Sequence, residues 1–155
     1  MENGALSLSY FVDGDIAGIL LPAPRTSAAA DGLWQHTCCE AFIAAVDQPG
    51  YRELNFSPSG QWAIYAFSDY RQRDNNYLPE SVPVLTFSEC AQGFRLDALL
   101  APSLLPAGQQ FDMALTLVLE AKDGSKTYWA LQHVAEQPDF HHRESFSLNL
   151  KVNKP

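Results

Sequence analysis

The strongest constraint in this sequence is a recurring unit: a short apolar run of period two, closed by a turn signal about every ten residues. Phe111 to Glu120 is the cleanest example. Phe111, Met113, Leu115, Leu117 and Leu119 face one way, and Asp112, Thr116 and Glu120 face the other. Lys122-Asp123-Gly124-Ser125 then reads as a hairpin loop into Lys126 to His133. Ala5 to Val12 alternates in the same way. Asp13-Gly14-Asp15 signals a tight turn, with Ile16 to Leu21 returning as the second arm of a hairpin. Thr37 to Val46, Tyr51 to Phe56, Gln61 to Phe67, Val84 to Phe87, Phe94 to Ala98 and Phe146 to Val152 supply further strands. Leu96 to Leu105 is the one stretch with helical character, limited by Pro102 to a turn or two. Pro22 to Gly32, Ser68 to Pro83 and Val134 to Glu144 read as loops. About nine strands without a βαβ rhythm predict an all-β fold, an antiparallel β-sandwich of immunoglobulin-like or jelly-roll-like type.

At 155 residues the chain suits a single domain, 1–155, and its 46% hydrophobic content is enough for a core. Ten basic residues against eighteen acidic ones give a net charge of −8, and no basic cluster extends beyond Arg71 and Arg73. That excludes a phosphate-tracking stripe, so neither nucleic acid nor an anionic membrane surface is an expected partner. The N-terminus carries an acid, Glu2, with no basic segment before an apolar one, so a cytoplasmic location is expected. Cys38, Cys39 and Cys90 fit that compartment as reduced thiols acting as small strand hydrophobes.

The unusual stretch is Leu33 to Arg71, which sets Glu40, Glu53 and Asn55 inside strand-forming runs. A carboxylate in such a run costs free energy unless something pairs with it. Glu53 and Asn55 share one strand face, and Glu40 lies on a neighbouring run. Carboxylates and an amide on one face are what hydroxyl recognition requires, with Trp34, Trp62 and Trp129 available to cover an apolar ring face. The same residues also fit a structural arrangement, in which Glu40 or Glu53 pairs with Arg71 and the tryptophans are core.

Several motifs recur in order. They are Trp34-Gln35-His36-Thr37-Cys38 with Glu40-Ala41-Phe42; Tyr51 with Glu53-Leu54-Asn55-Phe56-Ser57-Pro58; Trp62; and Tyr70-Arg71. They continue with Tyr128-Trp129-Ala130-Leu131, His133 and Pro138-Asp139-Phe140-His141. Together, over about Leu33 to Leu150, they resemble the bacterial DOMON-like ligand-binding domains (type 1), relatives of the family 9 carbohydrate-binding modules. The resemblance implies a β-sandwich whose branches bind sugars or haem. The expectation is a non-enzymatic domain for a sugar or another small polar metabolite. Its site is expected around Glu40, Glu53, Asn55, Trp62, Arg71, Trp129 and His133. The stretch from Tyr128 to His141 is expected to complete the pattern begun by Leu33 to Arg71.

Other chemistries are less well supported. A glycoside-acting enzyme would use Glu40 and Glu53 as its acids, at a separation of roughly 5–9 Å that sequence cannot supply. His133, Asp139, His141 and His142 match no zinc spacing, so no metal is expected. The haem alternative would need Met113 and His133 as iron ligands, but Met113 sits in an apolar row and no covalent attachment motif is present. No cofactor is therefore expected. A protein-interaction module acting through a sheet edge is a further alternative, and the oligomeric state is not legible.

Overall fold

The computed structural model describes residues 4–152; Glu2, used above in reading the N-terminus, lies outside them. Among the described residues ten strands follow one another: β1 (Leu6–Asp13), β2 (Cys38–Ala45), β3 (Tyr51–Phe56), β4 (Trp62–Asp69), β5 (Gln72–Arg73), β6 (Val84–Cys90), β7 (Gly93–Leu100), β8 (Gln110–Glu120), β9 (Lys126–Ala130) and β10 (Leu148–Lys151). They form two antiparallel sheets. The smaller has three strands in the order β1-β7-β6, and the larger has seven in the order β10-β8-β2-β3-β4-β5, with β9 also paired to β8. The expected all-β sandwich is the observed architecture.

Strand parity decides what lies between the sheets. β1 contributes Leu6, Leu8 and Tyr10, and β7 contributes Phe94, Leu96, Ala98 and Leu100. The larger sheet answers with Cys39, Ala41 and Ile43 of β2, Leu54 and Phe56 of β3, and Trp62 and Ile64 of β4, together with Phe111 and Met113 of β8. The opposite parity of the larger sheet is also covered in part. Phe140 and Phe146, from the segment between β9 and β10, pack onto Phe42 and Tyr51 and form a second, smaller core. β2 is consequently buried at every position.

Three expectations are corrected. Ile16 to Leu21 is not a hairpin arm: Asp15 caps a 3-10 turn over Ile16–Gly18 by accepting from the Ala17 N–H, and β1 pairs with β7 instead. Leu96 to Leu105 is not helical. Alternating burial of Phe94, Leu96, Ala98 and Leu100 extends β7 to Leu100, and only Pro102–Leu104 makes a 3-10 turn. Cys90 is exposed at the end of the edge strand β6, whereas Cys38 and Cys39 are fully buried on opposite faces of β2. The polar row of β8 does face away from the core, but Thr116 and Glu120 are themselves buried, because loops cover that face. Among the described residues, no helix is long and apolar enough to cross a membrane.

Candidate ligand-binding site

The outer face of the larger sheet carries a cavity of about 940 Å³, within the range typical of small-molecule sites. Its floor is the parity opposite to the core. In register, Glu40 of β2 lies between Asn55 of β3 and Thr116 of β8, while Glu53 of β3 lies between Phe42 of β2 and Tyr65 of β4. Glu40 and Glu53 are thus diagonal neighbours on one sheet face. One wall is the turn beginning at Gly32, whose left-handed φ of 73° starts the 3-10 turn Leu33–Gln35 and presents Trp34. The hairpin from β4 to β5 forms a second wall with Arg71 and Arg73, and the segment containing Phe140 and His141 forms a third.

The two floor carboxyls are held differently. Glu40 is 2% exposed, and its side chain accepts one hydrogen bond, from Thr116 Oγ1 at 3.2 Å. Ionising a carboxyl there costs several kcal/mol of desolvation, whereas one such hydrogen bond returns about 1 kcal/mol. Burial, reinforced by the neighbouring Glu53, raises the Glu40 pKa to about 8, so this residue is a protonated acid at neutral pH. Burial also raises Glu53, but a hydrogen bond from Asn55 Nδ2 at 3.0 Å and the charges of Arg71 and Arg73 oppose the shift. The other amide atom, Asn55 Oδ1, is buried without a partner among the described residues.

A chain of hydrogen bonds ties the floor to two walls. The Arg71 N–H donates to Tyr51 Oη at 3.1 Å, and Tyr51 Oη lies 2.8 Å from His141 Nδ1. Burial, helped by the charge of Arg71, lowers the His141 pKa to about 4, so the ring is neutral. The tautomer in which Tyr51 donates to Nδ1 puts the ring proton on Nε2, 3.5 Å from Glu53 Oε2. The Arg71 guanidinium donates to Asp139 Oδ1 at 2.8 Å and to the Tyr70 hydroxyl, which itself donates to Asp139 Oδ2. Burial opposes the charge of Asp139, yet these hydrogen bonds outweigh it and hold the carboxyl below its ordinary range. Arg71 occupies the left-handed region at φ 53°, a conformation with a cost that the Tyr51 and Asp139 contacts offset.

Of the seven residues expected at the site, Glu40, Glu53 and Arg71 line the cavity. Asn55 lies fully buried on the same face and orients Glu53. The other three are elsewhere. Trp62 pairs with Phe56 on the inner parity and belongs to the main core. Trp129 pairs with Leu117, which packs on that core, so its ring is turned away from Glu40; it is 57% exposed and donates to Thr127. His133 is exposed in the loop after β9 rather than half-buried on a strand. Met113 is sealed between the sheets, so Met113 and His133 do not present a haem-ligand pair on an open face.

The ion pair expected between Arg71 and a floor glutamate is replaced by Arg71 with Asp139. Tyr65, Phe67 and Arg73 join the site although none was singled out as a site residue. The alternation of β4 with β3 carried that signal, since Tyr65 is the cross-strand partner of Glu53. Tyr128, Phe140 and His141 line the cavity too, as the pairing of the two sequence stretches anticipates. Trp34 is the tryptophan that lines it.

No protein-family model matches the sequence, and no curated protein matches it by sequence similarity. Among solved structures, the chain is similar to the crystal structure of a candidate carbohydrate-binding protein from Bacteroides uniformis ATCC 8492. The TM-score is 0.58 at 12% sequence identity, over 96% of this chain and 72% of that one. At this identity the likeness is one of fold: a β-sandwich of the kind found in that protein.

Proposed function

We propose that this chain is a non-enzymatic domain that binds a sugar in the cavity above Glu40 and Glu53, as a DOMON-like domain of the carbohydrate-binding type. The observation that carries the reading is the composition of one cavity. Buried hydrogen-bonding carboxyls form its floor, and the rings of Trp34, Tyr65, Phe67 and Tyr128 line it. Hydroxyl groups require the former and the apolar face of a pyranose the latter. The fold likeness to a candidate carbohydrate-binding protein supports the same ligand class.

Titration calorimetry against a panel of mono- and oligosaccharides tests the proposal, with tryptophan fluorescence as a second readout because Trp34 lines the cavity. Binding with a Trp34 signal is expected. Glu53→Gln, which replaces one carboxyl oxygen acceptor with an amide donor, should weaken it by roughly tenfold. A panel without a single binder would overturn the reading.

A second reading has one specific observation behind it. Glu40 keeps its proton to about pH 8, whereas Glu53 lies within the influence of two arginines, a division that acid–base hydrolysis of a glycoside uses. Turnover of aryl glycosides that disappears in Glu53→Gln would be its signature.

A further inference from the structure

We infer that the sugar taken by this cavity bears a carboxylate, held by Arg73 and Arg71 on the wall while its hydroxyls reach the floor carboxyls. The inference rests on the sugar-binding reading above and narrows it.

The chain has a net charge of −8, yet both basic side chains in the cavity come from one short segment, the turn from β4 into β5. Arg73 is preorganised and uncommitted. Its guanidinium carbon stands over the Tyr65 ring, 4.0 Å from the centroid, a cation–π contact that holds the side chain in place. Its nearest acid is Asp31 at 3.9 Å, an exposed side chain whose Oδ1 already accepts from Tyr65 Oη at 2.8 Å. At that separation and exposure an ion pair contributes little. The Arg73 guanidinium donates no hydrogen bond to any described residue, its Asp31 contact at 3.9 Å being too long for one. Arg71 commits Nε to Tyr70 and Nη2 to Asp139, which leaves Nη1.

Both guanidiniums act on Glu53 through space, which leaves their remaining N–H groups unspent. Neither guanidinium forms an ion pair with Glu53, whose basic neighbour is the neutral His141 at 3.5 Å. A planar fork with unspent N–H groups matches a carboxylate.

The test is calorimetry at pH 7 and low salt on the full chain, with uronic acids, their methyl esters, neutral hexoses and hexose phosphates as the probes. The acids should bind roughly tenfold to a hundredfold more tightly than their own esters. Added salt should narrow that gap. Arg73→Gln should close most of the gap between the acid and its ester, the remainder being the share of Arg71. Because the Arg73 side chain is half exposed and donates no hydrogen bond, an unchanged melting temperature in this variant is expected and separates lost recognition from lost folding. Equal binding of acid and ester overturns the inference and leaves sugar binding intact, as does a preference for phosphates. Failure of every sugar, neutral or acidic, overturns the underlying reading as well.

Discussion

Glu40 is a carboxylic acid kept neutral by its surroundings. Its proton is lost near pH 4.5 in an unfolded chain and at about 8 in the folded one. Between those values the folded state holds the extra proton, so stability falls as pH rises from 4.5 to 8 and is undiminished below 4.5. At 1.36 kcal/mol per unit, the loss across the window amounts to several kcal/mol. Glu40→Gln keeps the shape and has no such proton. Its melting temperature should stay near that of the wild type at pH 5 and exceed it by several degrees at pH 8 to 9, as thermal denaturation at the two pH values would show. An equal gap at both would mean that Glu40 is ionised in the fold. Sequence alone showed that a carboxyl at position 40 needs compensation. It could not show that the compensation is a retained proton and Thr116 rather than Arg71, because that depends on how β8 registers against β2.

Strands were the legible elements, since alternation is a local signal; their partners were not. Asp13-Gly14-Asp15 has the residues of a hairpin turn, but the Asp15 cap turns the chain into a 3-10 turn and frees β1 for β7. What permits that pairing is a glycine far along the chain. Gly93 has φ 153°, and a Cβ built there would stand 1.7 Å from the Val12 carbonyl oxygen. β7 lies at the centre of the small sheet, between β1 and β6, so both ladders depend on this point of close approach. Gly93→Ala must move backbone rather than a flexible side chain. Added to the cost of a strained dihedral, roughly 1–3 kcal/mol, this should lower stability by at least about 2 kcal/mol in urea unfolding. Because Gly93 is remote from the cavity walls, sugar affinity in the folded variant should be unchanged. Similarly, the apparent helix at Leu96 to Leu105 was a strand followed by a proline-initiated turn, and the alternation of Phe94, Leu96 and Ala98 was the better guide.

At the scale of the whole molecule, the larger sheet is a slab covered on both sides by different means. Regular strands of the smaller sheet cover one face. The irregular segment carrying Phe140, His141 and Phe146 covers part of the other, and the cavity is the part left open. The first covering is periodic and readable, whereas the second has no period, and so Trp62 and Trp129 could be named as site residues while Trp34 and Tyr65 did the lining. The covering segment brings its own titration. His141 takes a proton at 6.5 when unfolded and only at about 4 when folded. As pH falls from 6.5 to 4 the unfolded state gains the proton first, so His141 removes stability over that window. Glu40 removes stability in the opposite direction, from 4.5 upward. Where the windows overlap, between 4.5 and 6.5, the contributions of these two residues run in opposite directions and cancel. Glu53, also raised by burial, steepens the decline just above 4.5, so the comparison is best made as variant minus wild type. His141→Gln should therefore gain stability relative to wild type progressively as pH drops from 6.5 to 4, and Glu40→Gln progressively as pH rises from 4.5 to 8. Melting curves taken at half-unit intervals of pH would separate the two limbs. A His141→Gln difference that stays flat from 6.5 to 4 would show that the imidazole is not held neutral; with a proton on each ring nitrogen, His141 would then donate through Nδ1 to Tyr51 Oη while Nε2–H still faces Glu53.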